Sequence, residues 1–442
     1  MTAAEIRRFL AAETALQNRA AALHLLECEQ CRKAAVEALG AGGGERSVLA
    51  KVLPYGRAVE KPAAPVGGDL KSRLHVAFQE VQGSSPLLDD LLAYSCDCWP
   101  MLIRNQAKYQ NLGFAQRLIQ EGLEEGYGEL RRALALAEAG LQVLGTLESR
   151  HYGEVLLAET RGRGLSVLGN CHRLRGEFQQ AEGCFAQAGE LLSQAADPIE
   201  EGNFLYLRAI LDKDRGNLDV ALAGFEQAVQ LFEEAGDELK VARVLTSIGN
   251  LHLDRACPED ALAPLLESLA RSDEGADPRA VLYSRANLAI CFADLGEFAE
   301  ARNLFEQCRE GFSRFADSYT VIRACWLEGV IASGFGEVEM AESRLKEAFE
   351  AYQQEEKLFD AALVALDLAL VLNRQGRFSE VRDLARQSLA ALVPAGVFKE
   401  AATALAFFHQ AAHQEKVSEE VIRGVARFLR LAKTDPSLSI RT

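Results

Sequence analysis

A chain of 442 residues is too long for one hydrophobic core, so it must divide into domains or stack as a repeat. Apolar residues make up 49% and charged residues 25%, the balance of a folded chain in water, and only 11 prolines interrupt it. The net charge of -16 repels a polyphosphate backbone and excludes general nucleic-acid binding as an expectation.

The opening MTAAEIRRFLAAE has no apolar run of the signal-peptide kind. The longest apolar stretch, Ala361 to Leu372, is 12 residues with Asp367 inside it, too short to span a bilayer. Ten cysteines are scattered without the dense spacing of a secreted disulfide scaffold. Reduced thiols and a cytoplasmic location are therefore expected.

Residues 1–39 read as helical, with Ile6, Phe9, Leu10, Leu16, Leu23 and Leu26 at helical spacing. Within them His24, Cys28 and Cys31 follow at intervals of four and three, which brings them toward one face. An imidazole and two thiolates are donors that zinc prefers, and a structural site takes four in a tetrahedron. This HxxxCxxC pattern, led by Ala20-Ala21-Ala22-Leu23, resembles the small zinc-finger domain of bacterial anti-sigma factors. The resemblance implies zinc on His24, Cys28 and Cys31 and a sigma factor as partner. It also implies a further upstream His or Cys, yet none precedes His24 and none follows Cys31 before His75. Glu5, Glu13, water or a second chain would then complete the site; a metal-free remnant is the alternative.

Residues 40–69 hold seven glycines and three prolines without helical periodicity, the mark of a flexible tether. Helices resume over residues 70–159, ending in an irregular first repeat. Cys96 and Cys98 flank Asp97 just before Trp99; a C-x-C pair points its thiols apart, so packing beside Trp99 is expected rather than metal.

From residue 160 the chain repeats every 40 residues. Gly176, Gly216, Gly296, Gly336 and Gly376 keep strict register, with Ala256 standing in once. Behind them come Ala181, Ala221, Ala261, Ala301 and Ala341, then Phe185, Phe225, Leu265, Phe305 and Leu345. Ahead of them runs a small residue at Gly169, Ala209, Gly249, Ala289, Gly329 and Ala369. A glycine just past a helix end takes the left-handed conformation that stops it. The small residues let two helices approach, and Asp197, Asp237, Asp277 and Asp317 stand where the next helix needs a cap.

Leu168-Gly169, His172, Gly176, Ala181, Phe185 and Ala188 resemble the tetratricopeptide repeat pattern, and residues 160–400 follow it in register. The resemblance implies an all-α solenoid, antiparallel helix pairs stacked in a right-handed superhelix. Residues 401–442 read as a degenerate capping repeat and tail. His172 and His252 fall where an aromatic belongs and are expected to pack in the core.

No phosphate loop, HExxH or G-x-S-x-G appears, so an enzyme is not expected, and a helical-repeat enzyme is a remote alternative. Function is expected to come from surface. In the tetratricopeptide repeat the first helix of each pair lines a groove for a peptide or protein. By register that face carries Arg163, Asn170, Arg173, Lys213, Arg243, Asn250 and Arg323, suited to an acidic segment. The sequence thus describes a regulatory interaction scaffold of a bacterial cytoplasm with a tethered zinc module. A plain repeat adaptor with a vestigial N-terminus is the alternative.

Overall fold

Residues 79–81, 83–126, 129–193, 197–275, 277–314, 318–392, 405–406, 408–410, 412 and 418–434 are described by a computed structural model. His24, Cys28, Cys31 and the tether over 40–69 lie outside these residues, as does Asp317.

The turns at the 40-residue interval build the fold. Gly176, Gly216, Gly296, Gly336 and Gly376 all have φ between +72° and +84°, and Ala256 joins them at +53°. Each is closed by the same pair of hydrogen bonds. At Gly176 the amide donates to Arg173 O (2.9 Å) and the next amide, of Glu177, to His172 O (2.9 Å). At Ala256 the equivalents are Leu253 O (2.9 Å) and His252 O (3.0 Å). This double bond satisfies carbonyls that a helix end would otherwise leave unpaired. Ala256 adopts a glycine conformation at a cost of about 1–2 kcal/mol. Ala256→Gly should therefore stabilise the chain by about 0.5–1 kcal/mol, after the larger entropy of unfolded glycine is subtracted. Urea denaturation reads the shift; a destabilised variant would contradict the strain.

Between these turns lie helices, and no strand occurs among the described residues. They are α1 Ser84–Leu92, α2 Trp99–Asn105, α3 Leu112–Glu125, α4 Leu130–Gly145, α5 Glu154–Leu174, α6 Phe178–Leu192, α7 Pro198–Asp214 and α8 Leu218–Ala235. There follow α9 Glu238–Asp254, α10 Pro258–Arg271, α11 Pro278–Leu295, α12 Phe298–Arg314, α13 Ser318–Phe335, α14 Val338–Gln354, α15 Leu358–Arg374, α16 Phe378–Leu392 and α17 Glu419–Thr434. Two compact units share them, residues 1–211 with 226–237, and residues 212–225 with 238–442. In the first unit α3 pairs with α4 and α5 with α6. In the second the pairs are α9–α10, α11–α12, α13–α14 and α15–α16, each also packing on the next. The fold is an all-α solenoid of the tetratricopeptide type.

The small residues do the work expected of them inside each pair. A Cβ at Gly249 would stand 2.4 Å from Leu265, and one at Gly329 would stand 2.8 Å from Leu345. Ala289 and Ala369 occupy the same place and are fully buried. Hydroxyls buried between α9, α10 and α11 pair with one another, whereas Ser388 Oγ, in the register of Ser268, is buried without a partner among the described residues. Thr246, Ser268 and Ser284 tie α9, α10 and α11 through hydroxyl contacts of 2.8, 2.8 and 3.0 Å. Asp277 caps α11 by accepting from the Ala280 amide (3.0 Å), and Asp197 accepts from the Ile199 amide (2.9 Å).

The C-terminal helix departs from the stack. α17 begins 41 residues after α16 begins, within one residue of the sequence register of a second helix. It packs on α15 and also reaches α9, three pairs earlier. Ile422, Val425 and Leu429 on one of its faces are buried, with 0%, 5% and 0% exposure.

Candidate functional site: the inner face of the first helices

The open face of the second unit follows from α13. Gly329 faces its own partner α14, and each residue turns the helix by about 100°. One step back, Glu328 sits between Arg309 on α12 (3.6 Å) and Arg344 on α14 (2.7 Å), so it looks into the outer groove between second helices. One step forward, Val330 looks the other way. The residues of that inner side recur at seven and four, or on α13 at three and four. They are Arg243, Asn250 and Asp254 on α9; Tyr283, Ile290 and Asp294 on α11; Arg323, Trp326 and Val330 on α13; Leu363, Leu370 and Arg374 on α15.

The seven residues expected on this face are placed as follows. In the first unit Arg163 donates to Gln120 on α3 and lies 3.6 Å from Glu200 on α7. Asn170 is buried, and its Oδ1 accepts from Arg173 Nε at 3.0 Å. In the second, Lys213 bonds Asp254 at 2.9 Å, Arg243 bonds Asp277 at 2.6 Å, and Arg323 donates to Asn287 at 2.7 Å. Asn250 is half-buried. Arg163, Lys213, Arg243 and Arg323 thus tie their helices to a neighbouring repeat. Trp326, which sequence reasoning passed over, does the same by donating to Asp367 on α15 at 2.7 Å. Its indole also meets Tyr352 edge-on at 6.2 Å.

The acids on this face gather round one guanidinium. Arg430 of α17 bonds Asp294 at 2.8 Å. Burial works to discharge it, but Asp294, Asp367 and Asp254 outweigh burial and hold it more basic than usual. Burial pushes the Asp367 carboxyl up, while Arg430 and the Trp326 N–H pull it back down. At the other end of α17, Arg374 makes two bonds to Glu419 (2.8 and 3.0 Å) and a third to Ser333 O (3.3 Å).

The remaining chemistry-bearing residues fall into packing. His172 is half-buried and its Nδ1 lies 2.7 Å from Glu177 Oε2, so it closes the turn rather than filling the core. Cys96 sits beside Trp99, as expected, lining a pocket with Tyr94 and Arg132, but Cys98 is exposed rather than packed. Among the described residues no three His, Cys, Asp or Glu side chains gather as metal ligands. Burial pushes the Cys171 thiol up to about 11 and Cys291, Cys308 and Cys325 to about 12. Thiols so rarely ionised should be poor nucleophiles. In the native protein at pH 7.5 these four should resist iodoacetamide while exposed Cys98 reacts, as peptide mass mapping would show; equal labelling of all five would refute it.

No known family's sequence profile matches the chain, and no curated protein matches it by sequence. Solved structures do match. The Rap protein complexed with Competence and Sporulation Factor is similar with a TM-score of 0.52 and 14% identity, over 70% of this chain and 85% of that one. NprR in complex with its cognate peptide NprX gives 0.48 and 13%, over 68% and 84%. A signal-transduction ATPase with a tetratricopeptide repeat sensor, from Pyrococcus horikoshii, gives 0.44 and 14%, over 84% and 60%. At these identities the likeness is one of fold. Among the described residues no helix is long and apolar enough to cross a membrane.

Proposed function

We propose that the chain is a regulatory interaction scaffold, taking a peptide or a segment of a partner protein against the inner face of its first helices. The observation that carries this reading is the strip over α9 to α15. Half-buried Ile290, Val330 and Leu370 repeat at 40-residue intervals, with Asp254 and Asp294 beside them. An apolar row with convergent charge is what a partner segment needs for affinity and register. The similar Rap structure holds Competence and Sporulation Factor, which supports the same class of role here. The site offers recognition, and the reading is of a binding protein rather than an enzyme. A photo-crosslinker placed at Asn250 in the native cell should capture a partner that one placed at Leu266, exposed on α10, does not. Equal capture from both positions would sink the assignment of the inner face.

The N-terminal segment would add a second contact. His24, Cys28 and Cys31 supply donors that suit zinc, one short of a closed structural site. Zinc held there would stabilise the small helical module that binds a sigma factor in a bacterial cytoplasm. The full chain should then carry one zinc, lost on Cys28→Ser. A metal-free wild-type chain would remove the zinc, and failure to co-purify a sigma subunit would remove that partner.

A further inference from the structure

The inner strip of the second unit is covered by a piece of the chain itself. α17 enters beside Arg374 at the end of α15, where Glu419 is bonded, and its Arg430 meets Asp294 on α11. Eleven residues separate Glu419 from Arg430, about 16 Å of helix. Neighbouring helices lie about 8–10 Å apart, so that length spans the two steps from α15 past α13 to α11. The two ends agree with this, since α17 touches α15 and reaches α9. A helix that merely closed the stack would meet the last pair alone. α17 instead ends on a carboxylate 136 residues upstream.

Its contacts have the character of a ligand. Ile422, Val425 and Leu429 are one apolar edge, at intervals of three and four, and Arg430 follows Leu429 directly. The receiving surface is acidic before it meets Arg430, because Asp254, Asp294 and Asp367 belong to three different first helices. Asp254 already holds Lys213, and Asp367 already holds Trp326, so the cluster is built by the repeats and not by α17.

We infer that this strip is a docking site for amphipathic helices that carry an arginine one residue after their last apolar contact, and that α17 is its resident, displaceable occupant. The inference rests on the inner-face reading above and narrows the partner from any peptide to a helix with apolar residues at i, i+3 and i+7 and arginine at i+8. Such a partner displaces α17 by offering the same edge and the same guanidinium.

The test uses the full chain with Arg430→Glu, which places a carboxylate against the acidic cluster, and a synthetic peptide of residues 417–434. Hydrogen exchange of α17 amides should accelerate at least tenfold in the variant, while α9 to α15 keep wild-type protection. The peptide should bind the variant at least tenfold more tightly than the wild-type chain, and the same peptide with Arg430→Glu should bind neither. Unchanged protection of α17, a peptide that binds both chains alike or not at all, or joint loss of protection in α9 to α15 would overturn the inference. If Arg430→Glu does not fold, Arg430→Gln is held to the same criteria. Failure of both to fold would make α17 an integral part of the unit and overturn it too. Because the peptide is the chain's own, its failure leaves the crosslinking test of the inner face standing.

Discussion

Phe185→Ala should lower the free energy of unfolding by about 3–5 kcal/mol, the range for deleting a buried aromatic side chain. The ring projects from α6 and is fully buried against α5 and α7. It lies over Gly169, where a Cβ would approach it to 3.1 Å, and tilts against Phe204 at 6.3 Å. Ala181, Leu207 and Leu211 complete its surroundings. The void left by alanine cannot be filled from α5, because the residue facing it has no side chain to swing in. Exchange should therefore rise most in α5, α6 and α7. In a stack where each pair touches only its neighbours, the loss stays local, and α11 to α15 should keep their protection. Urea denaturation with native-state hydrogen exchange measures both parts. A cost under about 1 kcal/mol, or an even rise along the chain, would count against this account of the packing.

The repeat was legible because its rules are steric and local. A left-handed turn selects glycine, and a close helix pair selects glycine or alanine, so both leave a visible period. Even Ala256 was placed by register, although alanine alone would not announce φ of +53°. A second series of turns was not read. Gly236 and Glu356 also have positive φ, closing the second helices, but a glutamate gives no steric signal for that conformation.

The inner face was legible as a face and not as a set of bonds. By helical register Lys213, Arg243 and Arg323 were expected on it. The partners, Asp254, Asp277 and Asn287, stand 41, 34 and 36 residues away, and no local rule connects such pairs. One signal was available: Asp254 and Asp294 recur at the repeat interval, and Lys213 stands one residue from the register of Asp254 in the preceding repeat. Asn170 was expected to be open, yet it is buried under Arg173. The path of α17 had no signal of this kind, since its register is that of an ordinary second helix and Arg430 reaches across 136 residues.

Which small residue stands inside a pair is the part of the pattern with the sharpest consequence. Gly249→Ala should cost about 1–3 kcal/mol, the range for overpacking a close contact. Helix propensity alone predicts the opposite sign, favouring alanine by up to about 1 kcal/mol. The new Cβ would stand 2.4 and 2.6 Å from Cγ and Cδ2 of Leu265, so the leucine or the helix must move. Leucine has a tetrahedral Cγ with two methyl groups and needs the room that glycine leaves; Gly329 faces Leu345 in the same way. Where the sequence has alanine instead, at Ala289 and Ala369, the residues in the facing register are Phe305 and Ala385. A flat ring or a methyl group leaves space that a branched side chain does not. Leu265→Ala in the Gly249→Ala background should therefore cost less than the two single changes added, by about 1 kcal/mol or more. Gly183→Ala is the control, since nothing lies within 4 Å of a Cβ there and α6 should gain from the exchange. If Gly249→Ala behaves in urea as Gly183→Ala does, close approach is not what the small residue provides.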